Sequence, residues 1–376
     1  MNFSWSQEQD ELYSCVLSEA QKAFPTPSDQ FWTRAQWQQC ADMKLSALSV
    51  PQRYGGKGYD ALTTARAIEA FGRGSQDMGL VFSLAAHLFA CTMPIVEHGD
   101  EALKSRFLPG LGDGTLIGAN AITETQAGSD VFALKTRATR DGDAYVLNGH
   151  KSYVSNAPVA DLFVVYAVTN PAHGYLGITG FVVEKGTPGL VVGEPFRKMG
   201  LTSTPGSQVF FESCRVSLAN RLGREGQGAQ IFKQSMLWER SCLFAAYVGQ
   251  MERQLEQTIA YVGERRQFGK ALGKHQAVAH RVAAMKLRLE AARLLLYRAC
   301  WSFEQGEQAL LDIALSKLAV SEAAVMGGLD AIHIHGSVGF NSDNGIETML
   351  RDAIPATIFS GTSEMQYDII ASELGL

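Results

Sequence analysis

The sequence predicts an α+β multidomain chain. An N-terminal helical domain spans residues 1–116, a middle antiparallel β domain 117–222 and a C-terminal four-helix bundle 223–376. Three observations predict it. Apolar residues recur at helical spacing from Ser6 to about Leu116. Short β-type runs punctuated by Gly and Pro fill the middle. Long helical periods then cover 231–265, 276–304 and 309–333, with short connections that indicate an antiparallel bundle. A chain of 376 residues buries a core without disulfides or metal. Its 46% hydrophobic and 19% charged residues exclude disordered and fibrous classes.

Taken in order, Ser6 followed by Asp10 and Glu11 reads as a capped helix start, with acids at the positive end of the dipole. Residues 54–59 form a turn, and 61–74 and 78–98 two further helices. The second of these is the most membrane-like run. Ser83, His87 and Pro94 lie within it, so it reads as a buried core helix rather than a span. Residues 109–114 (Pro-Gly-Leu-Gly-Asp-Gly) read as a closing loop. In the middle third, 144–155 reads as two strands joined by an Asn148-Gly149 hairpin turn. Further strands are expected at 162–168, 177–184, 190–193 and 208–216.

Composition excludes several functions. Thirty-three basic against 38 acidic residues give a net charge of -5, no basis for binding nucleic acid or an anionic membrane. Cys15, Cys40, Cys91, Cys214, Cys242 and Cys300 lie far apart without a CxxC pair, which argues against zinc or thioredoxin-like sites. Scattered thiols fit a reducing compartment, and the polar, acidic first fourteen residues lack a signal pattern, so a cytoplasmic location is expected. No GxGxxG, P-loop, GxSxG or HExxH occurs; Gly110-Leu-Gly-Asp-Gly-Thr115 is a near miss without βαβ units around it. His333 and His335 have no Cys or acid at ligand spacing and read as helix-end or packing histidines, so no metal is expected.

Three clusters are unusual for scaffolding. Small and hydroxyl residues with a glycine in Ala121-Ile-Thr-Glu-Thr-Gln-Ala-Gly-Ser-Asp130 would let backbone N–H groups approach an anion or planar ring; an ordinary loop is the alternative. Glu264-Arg-Arg-Gln-Phe-Gly-Lys270 puts cations and an aromatic at a helix end, where a solvated terminus is also an adequate explanation. Hydroxyls precede a last helix in Phe359-Ser-Gly-Thr-Ser-Glu-Met-Gln366, which capping alone would explain. In this order and spacing, however, the chain resembles the acyl-CoA dehydrogenase family over essentially its whole length. The matching runs are T-E-x-x-A-G-S-D at Thr123, N-G-x-K at Asn148, E-R-x-x-F-G-K at Glu264, H-G-x-x-G-F at His335 and G-T-S at Gly361.

The resemblance implies a noncovalent FAD between the β domain and the C-terminal bundle. Thr123 would meet the flavin ring and Ser129 the pyrophosphate. Tyr153 stands where the family usually has Trp, with Ser155 two residues on. Arg265, Phe268 and Gln276 match residues that reach FAD across a homodimer, itself usually half of a homotetramer. His333 replaces a usual Gln and is followed by Gly336 and Ser337; Thr362 and Glu364 match the adenine and pyrophosphate end. The implied reaction is α,β-dehydrogenation of an acyl thioester on coenzyme A or on a carrier protein, prolyl carriers being one case. Electrons would pass to an electron-transfer flavoprotein or to oxygen.

Such a reaction needs a base facing Cα and a polarised thioester carbonyl. In many members the base precedes Gly-Thr-Ser; here that residue is Ser360, a neutral hydroxyl with no base beside it in sequence. Isovaleryl-CoA dehydrogenases and some carrier-protein dehydrogenases take the base from a helix with an L-x-E-R run. Leu237-Trp-Glu-Arg240 matches it and assigns Glu239 as the base. An exposed Glu239, or one paired with Arg240, is the plainer reading, but adjacent helical residues do not face each other. Glu347, in an expected polar loop, and Glu364 are rival carboxylates, and Arg351-Asp352 reads as structural support. The loss of an acid at 360 keeps a flavin monooxygenase or nitroalkane-oxidase-like enzyme as the alternative, with a nonenzymatic flavin- or acyl-binding relative as a third reading.

Overall fold

The computed structural model describes residues 4–306 and 309–376. It opens on α1 (Gln7–Ala23), whose cap is reciprocal: the Ser6 hydroxyl accepts the Gln9 N–H, and the Gln9 side chain accepts the Ser6 N–H. Then follow α2 (Arg34–Asp42), α3 (Ala61–Gly74), α4 (Met78–Ala85), α5 (Met93–His98) and α6 (Glu101–Asp113). A π-helical turn, Ala86–Thr92, joins α4 and α5 into one rod. The rod is long and apolar enough to cross a membrane, yet 89% of its most apolar window is buried inside the molecule, as a core helix should be. His87 explains its polar interruption. Nδ1 accepts the Gly118 N–H at 2.9 Å and Nε2 lies 3.1 Å from the Leu111 carbonyl, so the neutral ring bridges rod, α6 and sheet. Burial pushes the His87 imidazole down to about 4.

The expected loop at 109–114 is instead the last turn of α6, with Pro109 inside the helix. Leu108, Leu111 and Gly112 are buried there, and the Ser46 hydroxyl donates to the Gly112 carbonyl at 2.8 Å. Tertiary packing outweighs the local breakers.

The middle third forms β1 (Gly118–Ala121), β2 (Arg137–Asp141), β3 (Ala144–Ser155), β4 (Leu162–Val168), β5 (Ile178–Glu184), β6 (Leu190–Val192), β7 (Gly206–Ser217) and β8 (Arg221–Leu222). The sheet order is β6-β7-β3-β2-β4-β5-β8, with β1 on β4. Two expectations need correction. Residues 144–155 are one strand, and the hairpin turn is Gly142-Asp143, closing β2 onto β3. Asn148-Gly149 is an irregularity in the β3–β7 ladder: the Asn148 side chain accepts the Ser213 N–H at 2.8 Å, and Gly149, at φ 143°, is pressed onto Thr136. The sheet is also not purely antiparallel, because β1 runs parallel to β4. Asp161 accepts the Ile117 N–H on its side chain and donates its own N–H to the Ile117 carbonyl, both at 2.8 Å, so the two strands start side by side. Strand β4 is buried on both faces. Leu162, Val164 and Tyr166 meet the helical core, and Phe163, Val165 and Ala167 a second core behind the sheet.

The last third holds α7 (Gly228–Trp238), α8 (Ala245–Glu264), the ribbon β9 (Arg266–Gln267) and β10 (Lys270–Ala271), α9 (Gln276–Gln305), α10 (Ala309–His335), α11 (Ser337–Phe340), α12 (Ile346–Ala353) and α13 (Ser363–Glu373). The helical period over 231–265 is interrupted by a π-helical turn, Glu239–Leu243, and by Phe244. Helix α3 locks the first third onto α8 through two glycines. A Cβ on Gly72 would lie 2.2 Å from the Ala246 carbonyl oxygen, and one on Gly249 2.0 Å from that of Glu69.

Candidate active site

The π turn places the buried carboxylate. Trp238 ends α7 wedged between Phe89, parallel at 6.5 Å, and Phe303, edge-on at 5.0 Å, while its indole N–H donates to Glu97. Widening the helix just beyond this anchor turns Glu239 inward, as π-bulges commonly do at functional sites. Glu239 is buried, and its Oε1 accepts the Ser360 hydroxyl. Arg240 binds the same serine from the other side, its Nε donating to the Ser360 carbonyl at 2.8 Å. Among the described residues no ion pair joins Glu239 to Arg240. Burial pushes the Glu239 carboxyl above the usual carboxylate range, against the Ser360 hydrogen bond and the Arg240 charge. Phe359 anchors the loop among Phe82 (4.8 Å), Phe244 (5.4 Å) and Tyr247 (6.2 Å). Tyr166 comes from β4; burial, then Cys91 and Glu239, push its phenol up.

The rival carboxylates stand elsewhere. Glu347 is in the first turn of α12 rather than in a polar loop, because Arg351 one turn on holds it at 2.5 Å and 3.1 Å. That hydrogen bond keeps its carboxyl below the usual range. Glu364 is exposed in the first turn of α13, where its own backbone N–H and the Thr362 hydroxyl hold its carboxyl low. Asp352 accepts the Leu201 N–H, its carbonyl accepts the Tyr247 hydroxyl at 3.1 Å, and Arg351 donates to the Met199 carbonyl at 2.9 Å. These contacts pin residues 199–201. Burial pushes the Asp352 carboxyl up to about 6.

The remaining site residues fall into groups. Thr123 is half-buried beyond β1, and its carbonyl accepts the Ser152 N–H at 2.8 Å, which ties it to the β3 end carrying Tyr153 and Ser155. Tyr153 is 67% exposed at φ 58°, its ring 5.4 Å from Phe196. Ser129 is exposed in the turn after Gly128. Arg265 caps α8, Phe268 is 94% exposed at φ 51°, and Gln276 opens α9, so these three protrude from one corner of the chain. His333 is exposed in the last turn of α10, while His335 is buried and stacked on Tyr261 at 4.3 Å. Gly336 and Ser337 begin α11 in the open. Thr362 caps α13 by accepting the Met365 N–H at 3.4 Å.

Two features escape sequence reasoning. One is the contact between Ser360 and Glu239, 121 positions apart. The other is a buried ion pair between two of the motif runs. Lys151 donates to Glu124 and to the Ile122 carbonyl, both at 2.9 Å. Glu124 also accepts the Thr136 hydroxyl and the N–H groups of Lys135 and Thr136. Burial pulls the Glu124 carboxyl up, but these partners outweigh it and leave it below the usual range. The pair fixes residues 122–124 beside β3. A lysine within the inward-facing part of a strand was the available signal.

The N-terminal, middle and C-terminal domains of acyl-CoA dehydrogenase match residues 8–115, 119–214 and 226–375. An L-prolyl-[peptidyl-carrier protein] dehydrogenase of Pseudomonas fluorescens is 53% identical over 100% of both chains. The solved structure described as PigA with FAD and proline superposes with TM-score 0.97 at 43% identity, covering 100% of each chain. That of the prolyl acyl carrier protein oxidase AnaB superposes with TM-score 0.96 at 44% identity, covering 99% of this chain and 100% of the other.

Proposed function

The chain belongs to the acyl-CoA dehydrogenase family, all three of whose domains it carries, and we propose that it desaturates an L-prolyl thioester held on a peptidyl-carrier protein, with Glu239 as the base. Full-length similarity to prolyl-carrier enzymes supports the substrate. The observation that carries the mechanism is the buried Glu239 carboxyl set against Ser360. Burial raises its proton affinity toward that of a base useful near neutral pH. Glu239 takes the α-proton, and the electron pair of that bond becomes the new double bond as hydride leaves Cβ. FAD, when bound, supplies the acceptor for that hydride.

The residues present fit FAD. The Ser363 hydroxyl and the Gln366 Oε1 are buried in α13 without a hydrogen-bond partner among the described residues. Side-chain space beside Gly128 and Gly336 is open. Thr123, Tyr153 and Ser155 are assigned to the ring end, Ser129, Thr362 and Glu364 to the pyrophosphate and adenine, and His333, Gly336 and Ser337 to the bundle side.

Arg265, Phe268 and Gln276 are assigned to the FAD of a second copy. An aromatic 94% exposed is otherwise unexplained, and Leu287, Leu294 and Trp301 add an exposed apolar stripe at seven-residue spacing along α9. Sedimentation of the yellow protein is expected to show a dimer or tetramer, with FAD lost on Phe268→Ser; a flavin-saturated monomer contradicts the assignment.

The function is tested by the mass of the acyl group after incubation with L-prolyl-carrier protein, L-prolyl-CoA and a fatty acyl-CoA. Loss of two hydrogens from the carrier-linked prolyl group is expected. Gain of oxygen would establish the monooxygenase alternative instead. Repeating the assay in air and with an electron-transfer flavoprotein identifies the acceptor.

A further inference from the structure

We propose, on the reading of Glu239 as the base, that Ser360 is its positioning residue: the serine hydroxyl holds Oε1 of Glu239 and leaves Oε2 to receive the α-proton. Four observations converge on this role. The Ser360 hydroxyl bonds to Glu239 Oε1. The Ser360 carbonyl accepts Arg240 Nε at 2.8 Å, so successive residues of one π turn grip the serine by side chain and by backbone. Ser360 is held at φ 55°, a left-handed conformation that non-glycine residues adopt only when their surroundings enforce it. Phe359, immediately before it, is fixed among Phe82, Phe244 and Tyr247. The hydroxyl is therefore aimed rather than free to rotate through solvent.

The direction of the hydrogen bond matters. An ionised carboxylate only accepts, and a serine hydroxyl has one proton to give. Donating it to Glu239 favours the ionised form, the form that removes a proton. The titratable and charged groups around the π turn leave this task to Ser360. Tyr166 from β4 adds a hydroxyl whose ionisation Glu239 opposes. Arg240 is on the same turn with its Nε spent on the Ser360 carbonyl. From α5, Glu97 accepts the Trp238 indole. From α10, Lys317 sits over the Phe244 ring at 5.6 Å. Burial pushes the carboxyl up, and the Ser360 hydrogen bond is the largest influence bringing it down.

The test compares Ser360→Ala, Ser360→Gly and Glu239→Gln holoenzymes with the unmodified enzyme. Two quantities are read against pH: flavin reduction by the thioester, and the infrared carboxyl band of Glu239, isolated by subtracting the Glu239→Gln spectrum. Both serine variants are expected to move both midpoints up by about 1–2 pH units, the effect of losing a hydrogen bond to a charge. Their rate at neutral pH should fall by roughly 10-fold and recover in alkali. Ser360→Gly separates hydroxyl from backbone, because glycine adopts φ 55° without strain. A Ser360→Gly enzyme with unshifted midpoints overturns the proposal, whatever Ser360→Ala does. If Glu239→Gln is slow at every pH while both serine variants overlay the parent, the base reading stands and the positioning role is refuted. An unimpaired Glu239→Gln enzyme refutes the base reading itself.

Discussion

Glu239→Gln is expected to slow reduction of the bound flavin by its thioester substrate by roughly 10²–10⁴-fold, the usual contribution of a positioned general base. The amide keeps the size of the side chain and still accepts the Ser360 hydroxyl, but it cannot take the α-proton. FAD content should not change, since the residues assigned to the cofactor lie in the segment after β1, at the end of β3, where α10 meets α11, at the start of α13 and on the protruding corner rather than on the π turn. The loss should therefore appear in a single turnover as a slow flavin bleach at full cofactor occupancy. Glu347 offers no substitute, because Arg351 holds it ionised and engaged.

Lys151→Met is expected to cost about 3–5 kcal/mol of stability, measured by chemical denaturation of the holoenzyme. The change strands Glu124 as a buried charge and frees the Ile122 carbonyl. Because Glu124 anchors the segment bearing Thr123, FAD should also dissociate more readily. The double variant Glu124→Gln, Lys151→Met should recover part of the loss, as paired groups do not add independently. In the unmodified protein the depressed Glu124 carboxyl contributes stability that is present above the ordinary carboxylate pKa and is lost as pH falls through the lower folded value. A loss under about 1 kcal/mol would show the pair to be dispensable.

Local patterns carried the helical–β–helical order, since periods of 3.6 and 2 are properties of short segments. Ser6 and the 61–74 helix were legible for that reason. Asn148-Gly149 misled because its turn chemistry is real but is satisfied across the sheet, by Ser213 and Thr136. Pro109 misled because Leu111 and Gly112 are packed against a distant segment. The π turn at Glu239 has no signature in residue type; it adds one residue to a turn and leaves the apolar pattern nearly intact. A charge in an apolar helix nevertheless marks Glu239 in the sequence, and the structure buries that side chain. Ser360 was set aside because its partner is close only in space, as were Glu124 and Lys151, whose motif runs gave no hint of their pairing.

The central claim is that a carrier-linked L-prolyl thioester is the substrate and Glu239 its base. The most direct measurement is anaerobic rapid mixing of the FAD holoenzyme with L-prolyl-carrier protein while flavin absorbance is followed. The expected result is bleaching within one turnover by the carrier-linked prolyl group, and a roughly 10²–10⁴-fold slower bleach in Glu239→Gln. Flavin that stays oxidised with the prolyl carrier while a fatty acyl-CoA bleaches it, or a Glu239→Gln enzyme as fast as the parent, would contradict the claim.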